Sequence, residues 1–90
     1  MIHVGYFASI RVLTGKKEEE VACAENVLAL MLRLCDMYGK AFRDFCMDGD
    51  KISWRVNILV NGKHTQHLKK EITALKDGDD VSIFPLIAGG

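Results

Sequence analysis

The sequence predicts an α+β domain, a mixed sheet with one main helix packed on one of its faces. Three observations predict it. Apolar residues alternate with period two near the start, again around Val56, Ile58 and Val60, and again from Val81 onward. Between the first and second of these runs an apolar stripe recurs at helical spacing over residues 26–38. The resulting order is strand, strand, helix, short helix, strand, strand, and 90 residues are enough for one domain with a modest core.

Each element has its own signal. Ile2, Val4 and Tyr6 alternate with His3, Gly5 and Phe7, as a strand requires. Thr14-Gly15-Lys16 marks a turn. Glu18, Glu19 and Glu20 followed by Val21, Ala22 and Cys23 read as a second strand, polar enough for a sheet edge. Asn26 is a good N-cap for the helix that follows. Val27, Leu30, Met31, Leu34, Cys35 and Tyr38 form its stripe, which Leu28 and Leu32 widen. Gly39 is expected to end it in a left-handed conformation. Ala41, Phe42, Phe45 and Cys46 suggest a further short helical turn, and Asp48-Gly49-Asp50-Lys51 reads as a loop. Val56, Ile58 and Val60 form a strand closed by the hairpin-type turn Asn61-Gly62. Residues 63–75 are polar and irregular. Asp77-Gly78 makes another turn, and Val81, Ile83 and Pro85 continue the last strand, where the proline argues that the strand ends or lies at an edge.

Composition excludes several functions. Twelve basic residues balance twelve acidic ones, so the chain lacks the basic footprint of a nucleic-acid or membrane-surface binder. The first residues, Met1-Ile2-His3-Val4-Gly5-Tyr6-Phe7, lack the charged start and apolar core of a signal peptide, and no apolar run reaches the length of a membrane span. A cytoplasmic protein is expected. Cys23, Cys35 and Cys46 form no C-x-x-C pair, which points to reduced, partly buried thiols rather than a zinc or redox motif. Gly15-Lys16 lacks the upstream glycine and following Ser/Thr of a phosphate-binding loop. The two Asp-Gly turns lack the spaced ligands and terminal glutamate of a calcium loop. His64 and His67 have no third ligand nearby in sequence, so no metal site is expected.

What is left is the end of the sequence. Gly89-Gly90 follows directly on the apolar run Val81-Ser82-Ile83-Phe84-Pro85-Leu86-Ile87-Ala88. Two glycines carry no side chain to shield the backbone or fix its path. Such an end is expected to be a thin, flexible peptide that can thread a channel too narrow for a Cβ. It would present an α-carboxylate to another protein's chemistry.

The chain resembles the MoaD-like small subunit of molybdopterin synthase, a ubiquitin-like sulfur carrier of the MoaD/ThiS superfamily. The opening Val4-Gly5-Tyr6-Phe7-Ala8-Ser9-Ile10-Arg11-Val12-Leu13-Thr14-Gly15 is similar to that family's first strand and its Phe-Ala…Arg…Gly turn. Val60-Asn61-Gly62 resembles its hairpin. Leu75-Lys76-Asp77-Gly78-Asp79-Asp80-Val81, then Phe84-Pro85 and Gly89-Gly90, resemble its closing signature. The chain has Leu86 where the family often has a second proline and Val12 where it usually has an acidic residue. Residues 46–55 do not align.

The resemblance implies the β-grasp fold of ubiquitin over residues 1–90, the last strand in mid-sheet, and a flexible tail from about residue 86. It implies that Gly90 is the reacting residue. A ubiquitin-activating-type adenylyltransferase, using ATP and Mg, would adenylate its carboxylate, and a sulfur donor would convert it to a thiocarboxylate. No cofactor is expected on this chain, which would not be catalytic alone. The tail would enter the large subunit of molybdopterin synthase, in a hetero-oligomer, and give its sulfur to the cyclic pterin precursor. Gly89 and Ala88 would keep the tail slim, and Ile87, Leu86 and Phe84 would supply docking area unless they pack into the domain's own core. A ThiS-like carrier for thiazole synthesis is a rival, disfavoured by this chain's length and opening. A protein modifier, amide-linked through Gly90 to lysines, suits the same tail.

Overall fold

The computed structural model describes residues 1–65 and 72–86. Strand β1, Ile2–Tyr6, buries Ile2, Val4 and Tyr6 completely on one face. The chain turns through Phe7 and Ala8 into helix α1, Ser9–Thr14, an element the sequence reading does not contain. Its N-cap is Ala8, at φ 50° and ψ −128° with no side-chain capping bond, so none of the usual start signals is present. Gly15, left-handed at φ 73°, ends it at the expected turn. Strand β2, Glu18–Val21, pairs antiparallel with β1 and lies at the sheet edge, as its three glutamates suggest.

Helix α2, Val27–Tyr38, starts as expected, the Asn26 side chain accepting the Ala29 N–H at 2.8 Å. Gly39 ends it differently. Its φ is 88° but its ψ is −159°, outside the left-handed helical region. Its N–H donates to the Cys35 carbonyl while its own carbonyl accepts from Arg43, so one glycine closes α2 and opens helix α3, Lys40–Cys46. Asp48-Gly49-Asp50-Lys51 is the closure of a small hairpin rather than a loop. Strand β3, Met47–Asp48, pairs with strand β4, Lys51–Ile52, and Gly49 takes φ 64°. Strand β5, Val56–Val60, leads through Asn61 and Gly62, at φ 52° and 84°, into strand β6, Lys63–His64. Both positive φ values fit the hairpin turn expected of Asn-Gly. His67 lies outside the described residues.

Strand β7, Asp80–Pro85, completes a five-stranded sheet in the order β2-β1-β7-β5-β6. It runs parallel to β1 and antiparallel to β5, so the last strand is central. Pro85 is tolerated there because it marks the strand's end. Pairing with β1 stops at Ile83, and Pro85 faces only Val56 of β5. Val81 and Ile83 are fully buried, in one cluster with Val4, Tyr6, Ile58 and the α2 residues Leu30, Met31 and Leu34. Each such side chain contributes about 1.5–3 kcal/mol of burial. The register places His3, Gly5, Ser82, Phe84, Asn57 and Leu59 on the opposite face.

A half-buried carboxylate ties the edge to the helix. The Tyr6 hydroxyl donates to Glu19 Oε2 at 2.6 Å, the Tyr38 hydroxyl donates to the same oxygen, and Lys16 Nζ meets Oε1 at 3.1 Å. Burial works against ionising Glu19, but the Tyr38 and Tyr6 hydroxyls and Lys16 outweigh it and hold the carboxyl below its usual range. Burial, then the hydrogen bond to Glu19 and its charge, pushes the Tyr6 phenol far up.

Candidate functional site

The site expected from the sequence is the tail and its root. Ile87, Ala88, Gly89 and Gly90 lie outside the described residues. Phe84 and Leu86 lie within them, and the structure separates their roles.

Phe84 is half-buried and its ring stacks on Phe7, with centroids 4.3 Å apart and planes 14° from parallel. Phe7 in turn lies over Gly5. A Cβ on Gly5 would come within 3.2 Å of the Phe7 ring, so the glycine leaves room for the aromatic. The Arg11 guanidinium sits 5.6 Å from the Phe7 centroid, held there by its Nε donating to the Tyr6 carbonyl at 2.8 Å. The backbone joins the same elements, the Phe7 N–H donating to Ile83 O at 3.1 Å. Phe84 is thus packed against its own domain, on the face away from α2. Leu86 is 45% exposed.

The root is anchored on the other side by Arg55. Leu86 N–H donates to the Arg55 carbonyl at 2.7 Å. The Arg55 side chain reaches back to α3, donating to Asp44 O at 2.9 Å and Phe45 O at 3.3 Å. Phe7, Arg11 and Arg55 were not among the expected site residues. Arg11 belongs to the opening Phe-Ala…Arg…Gly pattern, and nothing periodic marks Arg55.

Elsewhere among the described residues, the shifted groups owe their shifts to burial and to local hydrogen bonds. Hydrogen bonds from Asn61 Nδ2 and the Lys76 backbone N–H hold the Asp79 carboxyl below its usual range and brace the turn before β7. Burial pushes the Cys46 thiol up to about 12 and raises Cys35 as well, which disfavours the thiolate at both. His3 lies between Glu18 and Glu20, its two ring nitrogens 3.5 and 3.4 Å from different carboxylates. Among the described residues, no group of three or more His, Cys, Asp or Glu is placed to hold a metal ion, and no helix is long and apolar enough to cross a membrane.

With this geometry fixed, likeness to known proteins becomes informative. The ThiS family model matches residues 4–90. The small archaeal modifier protein 3 of Haloferax volcanii is 30% identical over 95 aligned residues, covering 99% of this chain and 98% of that one. The solution structure of small archaeal modifier protein 1 from Methanosarcina acetivorans superimposes with a TM-score of 0.85 at 32% identity, over 99% of this chain and 95% of that chain. A Pyrococcus furiosus protein whose description proposes it as molybdopterin converting factor subunit 1 superimposes with a TM-score of 0.74 at 33% identity, over 96% and 97%. The five-stranded mixed sheet with α2 on one face is the β-grasp, ubiquitin-like fold of these neighbours.

Proposed function

The chain belongs to the ThiS family of ubiquitin-like sulfur carriers, and on that premise we propose that it carries sulfur for molybdopterin synthesis on the carboxylate of Gly90. The observation that carries the choice of pathway is the nearly full-length likeness, at 33% identity, to the Pyrococcus furiosus protein proposed as molybdopterin converting factor subunit 1. The sequence pattern of the opening strand and the closing turn supports the same reading.

In this reading the chain supplies the acyl group and its partners supply the reactions. A carboxylate is a poor electrophile. The activating partner binds ATP and Mg. A Gly90 carboxylate oxygen attacks the α-phosphorus, pyrophosphate leaves, and an acyl-adenylate forms. Hydrosulfide released by the sulfur donor then displaces AMP, the C–S bond forming as the C–O bond to the nucleotide breaks, with AMP as the leaving group and no change of oxidation state. The resulting thiocarboxylate enters the large subunit and meets the pterin precursor. Holding the reacting atoms together is the larger partner's contribution, worth several kcal/mol in favourable cases.

The fold's own contribution is mechanical. β7 is gripped by β1 on one side and β5 on the other, and the Leu86–Arg55 bond extends that grip one residue past the proline. A partner that draws on residues 87–90 therefore loads the centre of the sheet rather than a frayed edge. Gly89 keeps the tail thin, and Leu86 offers docking area worth about 1.5–3 kcal/mol if fully buried.

The test is a single-turnover mixture of thiocarboxylated chain, large subunit and cyclic pterin precursor, with no activating enzyme or sulfur donor. Dithiolene product should form in proportion to the carrier and then stop. Absence of pterin product would overturn the proposal. A second reading, a protein modifier, is favoured by the likeness to the Haloferax volcanii modifier protein. Transfer of the Gly90 acyl group to lysine with no pterin product would select it.

A further inference from the structure

Trp54 is the chain's single tryptophan and it is 70% exposed. One exposed apolar residue is ordinary, but this one lies beside a fixed cation. The Arg55 guanidinium lies 6.0 Å from the Trp54 ring and 5.9 Å from the Phe45 ring. Its two bonds to the Asp44 and Phe45 carbonyls fix it against the end of α3. The indole thus rests beside a cation that is already positioned, so the guanidinium has little order left to gain when a partner covers the pair.

Its location relative to the tail is the second observation. The carbonyl of Arg55, one residue from Trp54, accepts the Leu86 N–H at 2.7 Å. Leu86 is itself substantially exposed. Only four residues, 87–90, separate it from the carboxylate of Gly90, and four residues span at most about 14 Å when fully extended. An enzyme that holds that carboxylate in its own site must bring its surface to the root of the tail, where the 54–55 segment lies.

We propose that Trp54, backed by Arg55 and continued by Leu86, is a docking surface for the enzyme that activates the Gly90 carboxylate. The partner's complement is an apolar pocket for the indole with an acidic group facing the guanidinium. The inference rests on the carrier reading above. The activating enzyme is the occupant because carboxylate activation is common to the sulfur-carrier and modifier readings, so the surface is needed under both.

The experiment measures ATP–pyrophosphate exchange by the cognate activating enzyme as the concentration of the full chain is varied. Wild type, Trp54→Ala, Trp54→Phe and the control Met37→Ala, an exposed residue on α2, are compared, each with its Tm. Trp54→Ala should raise KM for the carrier at least about tenfold, as interface tryptophans often do, with kcat and Tm near wild type. Trp54→Phe should recover most of the loss, and Met37→Ala should match wild type. In an otherwise unaltered chain carrying fluorotryptophan at position 54, the fluorine resonance should shift when the activating enzyme is added. Unchanged KM in Trp54→Ala, an equal rise in Met37→Ala, or an unmoved resonance would overturn the inference. If Trp54→Ala lowers Tm, the phenylalanine variant and the fluorine resonance decide. Normal exchange with impaired sulfur transfer would assign the surface to the sulfur acceptor and overturn it as stated. No exchange with the wild-type chain would instead refute the carrier reading.

Discussion

Phe84→Ala separates the two roles that the sequence left open for this residue. The ring is half-buried on the open face of the sheet and stacked on Phe7 at 4.3 Å. A fully buried phenylalanine cut to alanine loses about 3–5 kcal/mol. With one side packed and the other open, about half of that, roughly 2 kcal/mol, is expected here. Phe7→Ala should cost a similar amount, with an added loss from Arg11, whose guanidinium sits over that ring. The stack can be lost only once. The double mutant should therefore be less destabilised than the sum of the singles, by about 0.5–1.5 kcal/mol. In a domain of this length each kcal/mol moves Tm by about 4–8 °C, so Phe84→Ala should melt roughly 8–16 °C lower. The assay is thermal and denaturant unfolding of the wild type, both singles and the double mutant, with no partner present. Strictly additive losses would refute the stack as part of the domain, and an unchanged Tm in Phe84→Ala would make the residue a pure docking element.

Leu86→Asp should leave Tm within a few degrees of wild type, because the side chain is exposed and only its backbone is bonded to Arg55, yet weaken binding to a tail-holding partner by burying an unpaired charge. A large fall in Tm for the isolated variant would show that Leu86 belongs to the core. Asp79 has a lowered pKa in the fold, so its contribution is complete above the unfolded value of about 3.9 and is lost as pH falls through the folded value. Asp79→Asn should therefore be clearly less stable than wild type at neutral pH, and the gap in denaturant midpoint should close in acid. A gap that widens in acid would contradict the assignment. With the Cys46 thiol pushed up to about 12 and Cys35 also raised, a thiol reagent at neutral pH should label the exposed Cys23 rapidly and the other two only on unfolding, as intact mass would show.

The elements legible in the sequence are those whose side chains face a single core. Ile2, Val4 and Tyr6, the α2 stripe from Val27 to Cys35, and Val56, Ile58 and Val60 all have a period that burial alone explains. Gly39 was read correctly as an end and wrongly as a left-handed one, because the chain enters a second helix at once rather than leaving. Helix α1 was not legible. It is six residues long, its N-cap is an alanine with no capping bond, and it buries only Ile10 and Thr14. The site divides the same way. Phe84 and Leu86 could be named from the closing pattern, but which one packs at home depends on Phe7, a partner 77 positions away. Arg55 acts mainly through its backbone carbonyl and through carbonyls it reaches on α3, and no residue pattern announces such contacts.

Sulfur carriage and protein modification ask the same chemistry of this chain. In the proposed reading both would pass through an activated Gly90 acyl group, and they would differ in the nucleophile that a partner brings to it. Specificity then has to reside in surfaces that choose the partner, and the departures from the family pattern are the place to look. Val12, where an acidic residue is usual, is exposed on α1. Leu86, where a second proline is frequent, is exposed at the tail root. Residues 46–55, which carry none of the opening, hairpin or closing patterns, run from the end of α3 through the β3–β4 hairpin to Trp54 and Arg55. The hydrogen bond from Leu86 N–H to Arg55 O sets that segment against the end of the strand that carries the tail. Exchanging residues 46–55 for those of a relative of known pathway should therefore redirect partner choice while leaving the five-stranded sheet, which draws none of its strands from this segment, intact. A chimera that melts like wild type and keeps every original partner would place specificity elsewhere, in Val12 or in residues 87–90 themselves.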